Sequence, residues 1–365
     1  MAAALAMAGL PRLVSGRGAP GEPDSDKQAE SSIEALSEAV ERSPEDALAL
    51  SALAQAYLRH GDFEFAEFYF ESALESESRS LVPGSRWLSI GDLWALGGRQ
   101  AQARDAWNAA WNAGVRSPEL QRRIERSRRE ESVEAGNCYL RGNRFEISYD
   151  CGIAREEAER VDLLLSHAED DDARIFGIEL DKRPFVVIYL GRRVLRALDT
   201  PEWVAGFFDG RIHVPLVSGE SISADAAGLL AHELAHAFMA QLSGGRAPGW
   251  LQEGIAQYVE GRRTSLEMSA ADLPFLATFA ALEPDFHQRT DRDRARRAYE
   301  LSLSFIQFLS YTHGIRAVIC LARDLGRGED PDAAARLELG GSLAELQERW
   351  RASIPLSPHR RANRG

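Results

Sequence analysis

The sequence predicts a mainly helical α+β protein, in which N-terminal helical hairpins are followed by a region with a small mixed sheet. Three observations carry this expectation: a repeat of helical pattern in the first third of the chain, a switch after about residue 135 to strands alternating with helices, and a histidine pair spaced for one face of a helix. At 365 residues, 44% hydrophobic and 27% charged, the chain has the length for two domains and the composition to bury a core. Its 56 acidic residues outnumber 43 basic ones, for a net charge of −13, which argues against a general binder of phosphate backbones. Only Lys27 and Lys182 are lysines, and the excess of arginine carries no functional weight. No apolar run reaches the ~20 residues of a membrane-spanning helix, so no integral membrane segment and no nucleic-acid partner are expected.

The apolar start, Met1 to Leu10, has no Lys or Arg before it and so lacks the basic part of a signal peptide. Cytoplasmic residence is the default expectation, and export the alternative. Residues 1–27 are expected to form a flexible or weakly signal-like segment. Self-comparison then aligns Leu50, Leu53, Ala54, Tyr57, Gly61, Ala66, Phe70 and Ala73 with Trp87, Ile90, Gly91, Trp94, Gly98, Ala103, Trp107 and Ala110, 37 residues on. Ser32, Leu36, Ala39 and Pro44 form an earlier half-unit at a spacing of 34, the extra residues falling around Pro83 and Gly84. Large residues at helical spacing, with Gly or Ala at the crossings and Gly at the turns, resemble tetratricopeptide repeats. The resemblance implies helix pairs over residues 28–134 and a protein partner through them. Two and a half units are too few to stand alone, so a cap or a docked neighbour is expected. Ser117 to Glu131, with Arg122, Arg123, Arg126, Arg128 and Arg129, reads as a charged capping helix with a solvated arginine face.

A second region, residues 137–355, begins with a strand at Phe145–Tyr149, a helix at Ala154–Ala168 and a buried strand through Phe185-Val186-Val187-Ile188. Cys138 and Cys151 flank the first strand and could pair in an oxidising compartment, whereas Cys320 reads as a small core residue. Without a C-x-x-C pair, a zinc site built from cysteine is not expected. Phe207 to Pro215 is a turn feeding a short strand. A helix follows from Ala224 to Leu242, with Ser223 as its cap and Gly244-Gly245 as its stop, and everything beyond Leu251 reads as helical before a flexible tail at 356–365.

Within the Ala224–Leu242 helix lies His232-Glu233-Leu234-Ala235-His236, an H-E-x-x-H pattern. Residues four apart on a helix share a face, so both imidazoles can reach one metal ion. Glu233 then projects beside the ion, where a carboxylate can take a proton from activated water. Catalytic Zn²⁺ takes three protein ligands, so one more must come from elsewhere. Met239 and Leu242 exclude the metzincin extension, and Glu253 in Trp250-Leu251-Gln252-Glu253-Gly254, 17 residues after His236, could swing back to face the histidines.

This block, W-L-x-E-G-x-A-x-Y after H-E-x-x-H, resembles the gluzincin-type zinc metallopeptidases, most closely the bacterial peptidase MA-like family. The resemblance implies a zincin-like domain, Glu253 as the third Zn²⁺ ligand beside His232 and His236, and hydrolysis of peptide or protein substrates with Glu233 as base. It extends to the Gly210–Pro215 strand, which in such folds edges the cleft, to Tyr299-x-x-Ser302-x-x-Phe305, and to a closing helix at Ser342–Trp350. Tyr299 either packs or donates to the oxyanion of the reaction. Thermolysin-like enzymes use an Asp soon after the Glu ligand to orient a histidine. Ala256 stands at the position compared, leaving the ring to a backbone carbonyl or another carboxylate. A non-catalytic scaffold, with helical repeats and a zincin-like domain that has lost turnover, is the alternative.

Overall fold

The structure, a computed structural model, describes residues 23–60, 62–191, 194–198, 200, 205–216, 225–264 and 292–354. The expectations for Met1–Leu10, for Ser223 as a cap and for the 356–365 tail lie outside the described residues. The chain begins with α1 (Pro23–Arg42), so residues 23–27 extend the first helix, followed by α2 (Ala47–His60), α3 (Phe63–Glu75), a 3₁₀ turn (Glu77–Leu81), α4 (Gly84–Leu96), α5 (Gln100–Asn112) and α6 (Pro118–Glu134). α2 packs on α3, α4 on α5, and α2 on α4. Their shared core holds Leu50, Phe70, Trp87, Ile90, Trp94 and Trp107, which are the large positions of the aligned units. Leu120 and Ile124 of α6 close one end of this core, and Ser117 caps α6 by accepting from the Leu120 amide at 3.1 Å.

The second region opens with β1 (Cys138–Arg141) and β2 (Glu146–Tyr149), then α7 (Arg155–Phe176), β3 (Phe185–Leu190), α8 (Val194–Ala197), β4 (Phe207–Phe208) and β5 (Arg211–Leu216). The strands form one mixed sheet in the order β1-β2-β3-β5-β4, parallel at β2-β3 and β3-β5 and antiparallel at both margins. Cys138 and Cys151 are joined by a disulfide across the β1-β2 hairpin, whereas Cys320 is free and half-buried. Successive side chains of β3 alternate between two cores. Val186 and Ile188 join the large core beneath α7 and the later helices, while Val187 and Tyr189 join a small cluster with Leu195, Leu198, Phe207 and the α6 residue Val133.

The Gly210–Pro215 strand is not the edge of this sheet. Phe207-Phe208 folds back on it, pairing Phe207 with His213 and Phe208 with Ile212, so β4 takes the margin and β5 lies inside. Pro215, which cannot donate to a ladder, sits beyond the last β4 pair. Six further helices follow among the described residues: α9 (Asp225–Ser243), α10 (Gly249–Val259), α11 (Arg292–His313), α12 (Ile315–Arg327), α13 (Pro331–Leu339) and α14 (Leu343–Ser353). Ser342 and Glu345 form a capping box at α14. Among the described residues no single helix is long and apolar enough to cross a membrane, and the one pair that passes together, α11 with α12, is bent by 114°. The molecule is thus mostly helical with a small mixed sheet, an arrangement consistent with a zincin-like α+β fold.

Candidate metal centre

His232 and His236 lie one turn apart on α9, their rings 5.0 Å centre to centre and nearly perpendicular. The chain stops α9 at Gly244-Gly245 and restarts at Gly249, with Pro248 as N-cap, which turns α10 back along α9. Glu253 then projects between the two imidazoles. Its Oε2 lies 3.5 Å from His232 Nε2 and 3.7 Å from His236 Nε2. All three residues are buried, and their candidate ligand atoms fall within 4.8 Å of one another. The glycine after Glu253 is dictated by packing: a Cβ on Gly254 would come within 2.4 Å of Ile306 and 2.9 Å of the Ser302 carbonyl on α11. Trp250 belongs to the core, 5.3 Å from the Phe305 ring.

The carboxylate that orients a histidine is Glu260, seven residues beyond Glu253, at the C-terminal end of α10. Its Oε2 is 3.1 Å from His232 Nδ1, and its Oε1 accepts from Arg262 Nε at 2.9 Å. This leaves His232 Nε2, a buried atom without a hydrogen-bond partner among the described residues, aimed at Glu253. Burial opposes positive charge on His232, but the facing carboxylates of Glu253 and Glu260 and the charge of Glu233 outweigh it and push its pKa up to about 10. His236 moves the other way, well below the usual imidazole range, through burial and then the positive charge of His232.

Glu233, adjacent in sequence to the first histidine, is buried, and neither of its oxygens has a hydrogen-bond partner among the described residues. Burial first, then the charges of Glu253 and Glu260, raise its pKa to about 8 against the lowering effect of His232. It lies beside the entrance to β4: a Cβ on Gly206 would meet Glu233 Oε1 at 3.3 Å. Tyr299 on α11 is also buried, and its phenol is pushed well above the usual range by burial and by the nearby charges of Glu253 and Glu233. Its hydroxyl therefore stays protonated beside the cluster. Asp172 of α7 is a further buried carboxylate whose oxygens have no hydrogen-bond partner among the described residues. Burial and then Asp171 lift its pKa to about 8 against the lowering influence of His232.

The β4-β5 hairpin that borders Glu233 is held from its other end by α6. Arg211 donates two bonds to Glu134, at 3.0 and 2.9 Å, and one to Glu130 at 3.0 Å. Arg126 bonds Glu130 at 2.8 Å and Asp209 at 3.1 Å. His213 is a strand residue within the same network, its ring between Tyr189 Oη at 2.9 Å and Asp209 Oδ1 at 2.8 Å. Arg123 bonds Asp92 at 2.6 Å. The α6 arginines are therefore not a uniformly solvated face: Arg122 and Arg128 are exposed, while Arg123 and Arg126 turn inward to carboxylates. Backbone meets backbone at this junction, since a Cβ on Gly210, at φ +99°, would lie 2.1 Å from the Ala95 carbonyl oxygen.

Of the residues singled out in the sequence, the structure brings together His232, His236 and Glu253, with Glu233 and Tyr299 close enough to share their field. Sequence reasoning missed Glu260, Asp172 and Gly206. For Glu260 a signal existed, a carboxylate two helical turns after Glu253. For the other two there was none, since they arrive from separate elements. No curated protein matches the chain. Residues 182–355 match the family model described as the Peptidase MA superfamily. Together with the His-His-Glu cluster, this match is consistent with a metal-dependent hydrolytic function, and this part of the chain is a peptidase-MA-superfamily, zincin-like domain.

Proposed function

We propose that the protein is a zinc-dependent metallopeptidase of gluzincin type, with His232, His236 and Glu253 as the Zn²⁺ ligands. The observation that carries this reading is the convergence of the two Nε2 atoms and Glu253 Oε2 at one buried point. The donor set fits: two imidazoles and a carboxylate suit zinc and leave a position open, and the unpartnered His232 Nε2 is the atom a ligating ring presents. When bound, Zn²⁺ supplies a Lewis acid that makes water nucleophilic near neutral pH and polarises the scissile carbonyl. Glu233 accepts the proton of the attacking water on its carboxylate and returns it to the leaving amine nitrogen. Tyr299 Oη donates to the oxyanion of the tetrahedral intermediate. Glu260 fixes the His232 ring through Nδ1, so that Nε2 faces Glu253. Residues 28–134 serve as tetratricopeptide-like hairpins that bind a protein partner, and residues 137–355 form the zincin-like unit.

Metal analysis and turnover of a peptide library by the purified chain test this reading. Glu233→Gln should lower hydrolysis by at least ~10²-fold with metal content unchanged, because the amide keeps the size of the side chain but cannot act as base. Metal binding without hydrolysis by the parent protein would instead support the scaffold reading.

A further inference from the structure

The two aligned helical units differ at one face. In the second unit the outward positions of α5 are Gln102 and Asp105, and Ala106 is buried. In the first unit the equivalent positions, 37 residues earlier on α3, are Phe65, Phe68 and Tyr69. Phe65 is 58% and Phe68 63% exposed. Their rings belong to a chain of aromatic contacts, with Tyr57 to Phe65 at 5.2 Å, Tyr57 to Tyr69 at 5.7 Å and Phe68 to Tyr69 at 5.2 Å. The second unit packs the same pair of helices without these rings, so the hairpin itself does not require them. Exposing them costs solubility and contributes little to the core.

The charges that α3 itself carries have one sign, and the basic neighbour Lys182 lies on the Glu67 side. α3 carries Glu64, Glu67, Glu71 and Glu75 and no basic residue, and Glu64, Glu71 and Glu75 are exposed. Glu41 of α1 lies near enough that its charge, after burial and Tyr57, helps to raise the Tyr69 phenol. An exposed aromatic strip with a carboxylate rim suits apolar side chains at its centre and arginine or lysine at its margin, where cations gain from both the carboxylates and the ring faces.

We propose that the α2-α3 face centred on Phe65 and Phe68 docks a peptide segment whose apolar side chains are flanked by Arg or Lys. The surface lies on a different unit from the metal centre, and the proposal stands or falls independently of the chemistry there.

The test uses the full chain and two labelled amphipathic peptides, one of leucine and arginine and one of leucine and glutamate, followed by fluorescence anisotropy. The arginine peptide should bind, with affinity falling as salt rises, and the glutamate peptide should not. Phe65→Gln combined with Phe68→Gln leaves the charge unchanged and should weaken binding by at least ~10-fold, with circular dichroism and metal content as in the parent. As a second variant, Glu64→Lys with Glu71→Lys leaves the rings in place and should reverse the preference between the peptides. Equal affinity for the arginine peptide in the parent and the Phe variant, or no binding by the parent, overturns the proposal. Concentration-dependent dimerisation of the free chain that is lost in the Phe variant would assign the face to a second copy and also overturn it.

Discussion

Two clusters of buried charge lie at opposite ends of the β4-β5 hairpin, and they are built on different principles. At the turn, Arg126 and Arg211 face Glu130, Glu134 and Asp209, and almost every polar atom finds a partner near 3 Å. Asp209 shows the result: burial opposes its charge, but His213, Arg211 and Arg126 outweigh it and hold its carboxyl far below the ordinary range. At the other end, Glu233, Glu253 and Glu260 surround two histidines, and the permanent cation paired there is Arg262, bound to Glu260 on the side away from His232. Glu233 and His232 Nε2 remain without hydrogen bonds among the described residues. Buried charge is stable only when it is paired. The first cluster meets that condition with fixed arginines, whereas the second has only the His232 ring between Glu253 and Glu260 and leaves room for the proposed cation. The difference teaches which cluster is structural and which is a site.

The strongest way to break this contrast is to remove one donor from each cluster and add metal. The metal centre should respond most: Glu253→Ala should lower zinc affinity at least ~10³-fold, about 4 kcal/mol. It should also abolish the rise in melting temperature that zinc gives the parent. Equal zinc-induced stabilisation in parent and variant would place the third donor elsewhere. Gln252, the neighbouring position, is a poor control, because its amide donates to the Ala247 carbonyl at 2.6 Å and supports the turn before α10.

Arg211→Ala tests the other cluster. It leaves Glu134 without its arginine and Glu130 with Arg126 alone, and should cost about 3–5 kcal/mol in denaturant unfolding. The loss should be the same with zinc or with a chelator present. A loss that zinc restored would mean that the two clusters are one cooperative unit.

How far these clusters could be read from the sequence follows from how local each is. His232, Glu233 and His236 are legible because helical periodicity alone puts the two imidazoles on one face. Glu253 needed a turn at Gly244-Gly245 and the resemblance of its block. Glu260, although a carboxylate two turns after Glu253, could not be assigned to the ring from sequence alone, because its reach depends on the length of α10 and on how closely α10 crosses α9, where a Cβ on Gly228 would already meet Glu260 Cγ at 3.3 Å. On α6, carboxylates four residues from arginines look the same on a solvated helix and on a docked one, so Arg126 gave no sign of turning inward. Phe207-Phe208 read as part of a turn because two residues carry no strand periodicity, and with it went the identity of the sheet edge.

Asp172 sharpens the comparison from a third direction, because it lies near His232 yet its oxygens have no hydrogen-bond partner among the described residues. Its carboxyl is lifted from an ordinary value of 3.8 to about 8. The native state therefore holds a proton there that the unfolded chain releases above ~4, so this group favours folding fully below pH ~4, and the advantage is lost as the pH rises towards 8. Asp172→Asn should leave stability unchanged near pH 4 and raise it by several kcal/mol at pH 8. The measurement is made with a chelator, so that no cation shares the charge. Parallel pH profiles for parent and variant would show that Asp172 is satisfied in solution.

The smallest expected effect belongs to Glu260, and it separates ligation from orientation. Glu260 touches His232 at Nδ1, the nitrogen that faces away from Glu253, so its removal leaves all three candidate donors in place. Glu260→Gln keeps the size and can still hydrogen-bond the ring, but it loses the charge that strengthens the imidazole as a donor and fixes its tautomer. Orienting partners of this kind are worth about 10–100-fold in metal affinity, or roughly 1.4–2.7 kcal/mol, well short of the loss expected for Glu253→Ala. Zinc competition against a chromophoric chelator reads this directly, without a substrate. Arg262→Ala, which frees Glu260 Oε1 but leaves the bond to His232 intact, should weaken binding less than Glu260→Gln does. If instead Glu260→Gln matched Glu253→Ala, Glu260 would itself be a ligand. If it changed nothing, the His232 ring would be held by the packing of α9 against α10 alone, and the carboxylate at 3.1 Å would be a neighbour without a task.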